Sequence, residues 1–445
     1  MNELTWVYGT AALMAATFLV QLVRRTFDPF APIWLFLVGY FQIGVLQACS
    51  YHEWAVEVRG EELVNDANFQ AFWGLGVFLG FYFLGPGRLI SKSLPRPPER
   101  WSLGPVHLLC PMLLVWGLLC SGIVGGGGDD PNAPRSAEAA LFMSFPMVML
   151  VSGLILIITG RQPATPRPAY TAAGIAIVVA YLIIWMFNGK RSHSLIAVLT
   201  GVCAFYLPRL RRPSFPVLVM TALLGATAVG ISIGWRIYAN AYKTTGSFSH
   251  FIDFVANFDP ESILESINLK DRDTPTGVRP SHETEEYGGY LLMKSVVPDQ
   301  ADYDYGANYF RIFSTFIPRI VWADKPLFGR DQWVAAWIAG SELKRDSTFT
   351  GPSIGILGAT QLNGGAWGAF IVLGLSGLFL RTGYEYFRKY ADLPWAQVWW
   401  TTIFYNSWMM TVGDDPLTWF YYNYGFTTLP TMLLFFVVNK IGAGE

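Results

Sequence analysis

The ten residues FNGKRSHSLI, Phe187 to Ile196, place Lys190, Arg191 and His193 within four positions, between the apolar runs AGIAIVVAYLIIWM and AVLTGVCAFYL. Asn188-Gly189 is a turn signal in its own right and needs no basic neighbours. Two adjacent cations at a membrane surface suit an anion, and arginine offers a planar fork matched to phosphate oxygens. The plainer alternative is that both side chains only snorkel to the water interface. Beside two cations, His193 is expected to stay neutral, which suits a base, although a lone histidine is more often an ordinary polar contact.

A second cluster, FRIFSTFIPRIVWADKPLFGR from Phe310 to Arg330, interleaves Arg311, Arg319, Lys325 and Arg330 with aromatic and aliphatic residues. Arg311 and Arg319 share a face if the segment is helical up to Ile317. Its apolar positions would let it lie in the membrane interface and meet a lipid-linked phosphate; the alternative is a peripheral helix with solvated charges. Arg236, in GWRIYANAY, enters the same face as these two clusters, and snorkelling alone also explains it. Gly413-Asp414-Asp415-Pro416 is most simply a turn and helix cap, with Asp414 or Asp415 as a candidate general base. GPSIG at 351–355 fits G-x-S-x-G, but it lacks the strand-turn-helix setting of a nucleophile elbow. The triplets DRD at 271 and DYD at 302 arise readily by chance.

These residues must be positioned by membrane helices. The chain has 445 residues, 52% hydrophobic and only 14% charged, with a mean hydropathy of +0.35. Soluble chains carry about 25% charged residues, and stretches of roughly 20 apolar residues are what a bilayer requires. Eleven spans are expected, near 5–23, 30–50, 67–84, 104–124, 139–159, 170–187, 194–207, 214–235, 366–380, 395–412 and 417–438, and all 31 Lys and Arg lie outside them. One alternating set of loops holds fifteen of these and the short loops opposite hold four. That bias puts the N-terminus outside and the C-terminus in the cytoplasm. The first span has Arg24-Arg25 after it and no basic residue before it, and reads as a retained helix rather than a signal peptide. Cys49, Cys110, Cys120 and Cys203 sit within spans at no metal-ligand spacing and read as packing residues.

The resulting organisation is an all-α polytopic membrane protein. Spans 1 to 8 occupy residues 1–235, a large external loop 236–365 and spans 9 to 11 residues 366–445. A loop of this length among short connections is usually functional. SHFIDFVANFDPESILESINL, YGGYLLMKSVV and ANYFRIFSTFI read as short helices, and Asp271 to Glu286 as the one mobile stretch. SIGILGATQLNGGAWGAF reads as a re-entrant or broken helix, tolerated at membrane depth only against protein or a wet cavity. The sequence shows no internal repeat and no nucleic-acid motif.

FSTFIPRIVWADKP, followed by a polar stretch and then GATQLNGGAWGAF entering a late span, resembles the oligosaccharide repeat-unit polymerases, the Wzy-type O-antigen polymerase family. The GKRS turn between middle spans is similar to an element of that family and of the related O-antigen ligases. The resemblance covers the layout and about 60 residues of motif. It implies a GT-C-type glycosyltransferase of the bacterial inner membrane, acting on its outer face on glycans carried by undecaprenyl pyrophosphate. A hydroxyl of one repeat unit would attack the anomeric carbon of another chain and the lipid pyrophosphate would leave, with no metal or other cofactor. Arg191 matches the middle turn and Arg319 the IPR motif. Lys190, Arg236, Arg311, Lys325 and Arg330 would help bind substrate; for the proton transfer His193, His250, His282, Asp324, Asp414 and Asp415 all qualify by residue type, His193 and Asp415 among them as the catalytic candidates. Partners implied are the lipid-linked glycan, the bilayer, and a chain-length regulator and flippase of the same pathway. The rival readings are ligase-type transfer to another acceptor, a transporter, which would need ionisable residues inside the spans, and a membrane scaffold.

Overall fold

The computed structural model describes residues 4–125, 145–242, 248–259, 286–315, 321–322, 353–413, 416 and 420–441. Among these the regular structure is entirely helical. A helix stands at each of the eleven expected span positions, and eight of them are long and apolar enough to cross a bilayer, which makes this a multi-pass membrane protein. The chain divides into two compact units.

The first unit comprises Met1–Leu94, Thr276–Tyr386 and Asn406–Tyr421. It contains α1 (Thr5–Val23), α2 (Ile33–Ser50), α3 (His52–Arg59), α4 (Glu61–Leu84) and α5 (Gly87–Ser93). Within α2 the stretch Gln42–Gln47 is wound as a π-helix. Its core is aromatic: Phe36 of α2 stacks on Phe78 of α4 with centroids 3.7 Å apart, and the Tyr40 hydroxyl donates to the Ala71 carbonyl at 2.6 Å.

The second unit comprises Pro95–Pro275, Phe387–Tyr405 and Tyr422–Glu445. It contains α6 (Leu103–Gly125), α7 (Met147–Arg161), α8 (Pro168–Phe187), α9 (Arg191–Tyr206), α10 (Phe215–Tyr242) and α11 (Phe248–Ala256). The centre is α7, whose apolar residues are buried all round, as expected of a helix without a polar face. Small residues let it be surrounded closely. A Cβ on Gly174 of α8 would stand 2.7 Å from the Gly153 carbonyl, and one on Gly117 of α6 would stand 2.8 Å from the Met149 nitrogen. Such close approach is how helices gain packing energy without a solvent-driven force between them.

The 236–365 region contributes α11, then α12 (Glu286–Val296), α13 (Ala307–Thr315) and α14 (Gly355–Leu362). The charged run read as mobile lies outside the described residues, except that its last member, Glu286, is fully buried at the start of α12. The Gln47 side chain clamps this end of α12: its Nε2 donates to a Glu286 carboxylate oxygen at 2.5 Å, and its Oε1 accepts from the Tyr287 amide at 2.9 Å. The Tyr287 hydroxyl donates to Asn68 Oδ1 at 2.8 Å, and burial raises the phenol's pKa, so it stays a donor. Lys294, at the far end of α12, bonds Gln70 and Asp66 of α4 at 2.8 Å each.

Beyond α14 the chain breaks at Asn363-Gly364-Gly365, with φ of +137° and +59° at the two glycines, and restarts as α15 (Gly365–Lys389). Polar groups at the break are absorbed locally: the Asp304 amide donates to the Leu362 carbonyl and the Gly306 amide to Asn363 Oδ1, both at 2.8 Å. Farther along α15, a Cβ on Gly377 would lie 2.5 Å from the Phe78 carbonyl of α4. Gly377→Ala should therefore push two backbones apart and lower stability by about 1–3 kcal/mol, readable as a lower melting temperature in detergent.

Among the described residues, α16 (Pro394–Val412) and α17 (Leu429–Ile441) follow, the latter preceded by a second π stretch, Tyr421–Thr428. α16 is long enough to span but is less apolar than the eight, because Gln397, Thr401, Thr402, Asn406, Ser407 and Thr411 line it. All of these are buried. Thr401 and Thr411 satisfy their hydroxyls on their own helix, at 2.8 and 2.6 Å, so this helix is held in protein rather than in lipid.

Within each unit, connections of like parity meet. In the first, Asp28 accepts from the Tyr384 hydroxyl at 2.6 Å and Arg59 donates to Ser295 at 3.3 Å. In the second, the Arg100 carbonyl accepts from Trp395 and Asn439, both at 3.0 Å, and Gly189 packs on Arg236.

Candidate active site

The basic turn is built by a helix end. The α8 ladder closes with the Gly189 amide donating to the Met186 carbonyl at 3.0 Å and the Lys190 amide to the Trp185 carbonyl at 2.9 Å. That pair of bonds is the Schellman pattern, which needs a left-handed residue after the cap. Gly189 supplies it with φ of +64°. A second constraint falls on the same glycine, because a Cβ there would lie 2.9 Å from Cβ of Arg236. The stem of Arg236 thus rests on the turn that carries Lys190 and Arg191. Gly189→Ala should cost about 1–2 kcal/mol from left-handed strain alone, and the close approach to the Arg236 Cβ adds to that; since alanine keeps this Cβ, pairing the change with Arg236→Ala should recover little of the loss, as a double-mutant cycle in melting temperature would show.

α9 begins immediately after the turn, with Lys190 as its cap and no acidic residue in its first turn. The free amides of such a terminus carry partial positive charge and favour anions. The start of α9 is pinned to α10 by Ser194 and Ser232, whose buried hydroxyls lie 2.9 Å apart. On the other flank, the Trp235 indole donates to the Phe187 carbonyl at 2.6 Å. Phe251 of α11 packs on Trp235, with centroids 5.3 Å apart, in a small aromatic core with Ile231. Lys190 and Arg191 are therefore carried by the fixed start of α9, and Arg236 by the last third of α10.

His193 is on the same first turn but is engaged elsewhere. Its ring stacks on Trp185 of α8 with centroids 4.4 Å apart, and Nδ1 lies 3.3 Å from the Ser192 hydroxyl. Two residues along a helix is about 200° of rotation, so His193 and Arg191 leave α9 in opposed directions. Arg311 lies on α13, where the description stops at the backbone. Arg319, Lys325, Arg330 and Asp415 lie outside the described residues. Of the expected set, the structure brings together Lys190, Arg191 and Arg236.

Sequence reading missed Ser194, Ser232, Trp185 and Trp235, which hold the turn. The available signal was helical register: Ser232 and Trp235, three apart on α10, share a face with Arg236 close by. It also missed an electrostatic fact. From Ala139 to Ile252 there is no Asp or Glu, while nine Lys and Arg occur. No acidic residue on α7 to α10 competes for these cations. Among the described residues, no group of three or more His, Cys, Asp or Glu is placed to hold a metal ion.

Compared with known proteins, the chain matches no family model, no curated sequence and no solved structure.

Proposed function

We propose that the protein is an integral membrane glycosyltransferase that polymerises oligosaccharide repeat units carried on polyprenyl pyrophosphate. The observation that carries this reading is the cationic end of α9. Lys190 and Arg191 stand at the positive pole of a helix, with Arg236 held against their turn. Cations there oppose the helix dipole, and a bound polyanion turns that cost into attraction. When a hydroxyl of one glycan attacks the anomeric carbon of another, the bond to the pyrophosphate oxygen breaks and negative charge develops on that oxygen. Fixed donors aimed at developing charge are usually the largest catalytic contribution. On this reading Arg191 takes the departing pyrophosphate through its bidentate fork, and Lys190 and Arg236 bind the same group before and after transfer. The bacterial inner membrane, with this site on its outer face, is the location that fits.

The test uses purified protein and pyrophosphate-linked repeat units, resolved by gel. A ladder of longer glycans supports the reading. A single addition to a different acceptor would place the chain with ligase-type enzymes, and absence of product with every acceptor would overturn the assignment.

A further inference from the structure

A second feature of the α7–α10 bundle is independent of this site. α7, α8, α9 and α10 leave between them a cavity of about 330 Å³, lined by Ile157, Val178, Leu182, Gly201, Phe205 and Leu224 among others. The lining is almost wholly apolar. It is confined to the half of the bundle away from Lys190, since its α9 residues run from Ala197 to Tyr206.

At that end stands a different group of cations. Arg161 Nε donates to the carbonyl of Phe205 at 3.1 Å, and its guanidinium lies 3.5 Å over the Phe205 ring. Phe205 is itself a wall of the cavity. Arg209 and Arg211 follow within six residues and are exposed. Both repel the charge of Arg161, although burial is the larger cause of its lowered pKa. Among the described residues no carboxylate pairs with these three, and the acid-free run from 139 to 252 excludes a local one.

We propose that this cavity holds one acyl chain of an anionic phospholipid, whose phosphate is bound by Arg161, Arg209 and Arg211. The argument is complementarity in two parts. An apolar slot between membrane helices takes a hydrocarbon chain, and an uncompensated arginine cluster at its end takes an anionic head group. The face concerned is the one the charge bias reads as cytoplasmic, opposite to the α9 site. The lipid would fill a gap between α7 and α9 that side chains leave open, and so brace the helix that carries Arg191.

The test is native mass spectrometry of the full chain in detergent with dioleoyl phosphatidylglycerol or dioleoyl phosphatidylcholine. One phosphatidylglycerol should be retained per chain, in preference to phosphatidylcholine. Each basic residue near a head group contributes about a fivefold preference, so Arg209→Gln with Arg211→Gln should weaken retention about 25-fold. Both side chains are exposed, so this variant should fold. Gly201→Leu should abolish retention by filling the slot; a Cβ there meets its nearest neighbour, Val178, at an ordinary 3.7 Å. Equal retention of the two lipids would overturn the proposal. So would retention unaffected by the arginine pair, tighter retention of farnesyl phosphate than of phosphatidylglycerol, or a dimer mass lost in Gly201→Leu.

Discussion

Arg191→Ala is expected to stop glycan chain growth, lowering the rate of repeat-unit addition by about 10²- to 10³-fold, the usual loss when one fixed donor to developing charge is removed. The same change should leave the fold intact. Arg191 opens α9, where a cation is opposed by the helix dipole, so on that account its removal is neutral or stabilising by about 0.3–1 kcal/mol. Loss of activity with an unchanged or raised melting temperature separates a binding role from a structural one. Arg191→Lys keeps the charge but not the planar fork, and should fall between the two. Full-length ladders from Arg191→Ala would show that the side chain only snorkels.

Glu286→Ala should be strongly destabilising to the first unit. The carboxylate is fully buried and accepts from Gln47, which also receives the Tyr287 amide. Truncation strands the Gln47 amide donor, at about 1–3 kcal/mol for a buried unsatisfied group, and leaves a cavity where the fully buried side chain was. A loss of about 3 kcal/mol follows. Glu286→Gln keeps the shape and should lose less. Gln47→Ala should lose a similar amount, and the two alanine changes together should lose less than their sum, because they break the same contact. Strict additivity, measured by detergent unfolding, would show that Gln47 and Glu286 are not energetically linked.

The helices were legible because lipid imposes a length and an apolar composition that any window of sequence displays. The turn at Asn188-Gly189 was legible for a local reason as well: the cap, the glycine and the two cations are neighbours in the chain. Arg236 was grouped with that turn by topology alone, and the packing of its stem on Gly189 gives the grouping a contact. What could not be read was pairing at a distance. Glu286 and Gln47 are separated by 239 positions, and in sequence Glu286 is only the last letter of a polar run that looks solvated. His193 shows the converse. Its neighbours in sequence argued for a role beside Arg191, but helical rotation sends it to Trp185 instead.

The π stretch at Gln42–Gln47 has a consequence for how such chains can diverge. A π turn holds one residue more than the α turn it replaces, so a gene one codon shorter at this point would close α2 into a regular helix. Because the extra residue is taken up within the widened turn, the helix faces on either side of the deletion would keep their phase, and the change would fall on the widened turn itself, where Gln47 meets the Glu286 carboxylate. The length of this span and the presence of an acid at the start of α12 are therefore expected to be inherited together. A homologous gene that lost the extra codon should have also changed the partner at the position of Glu286, and that pairing of a deletion with a distant substitution can be looked for in any set of related genes.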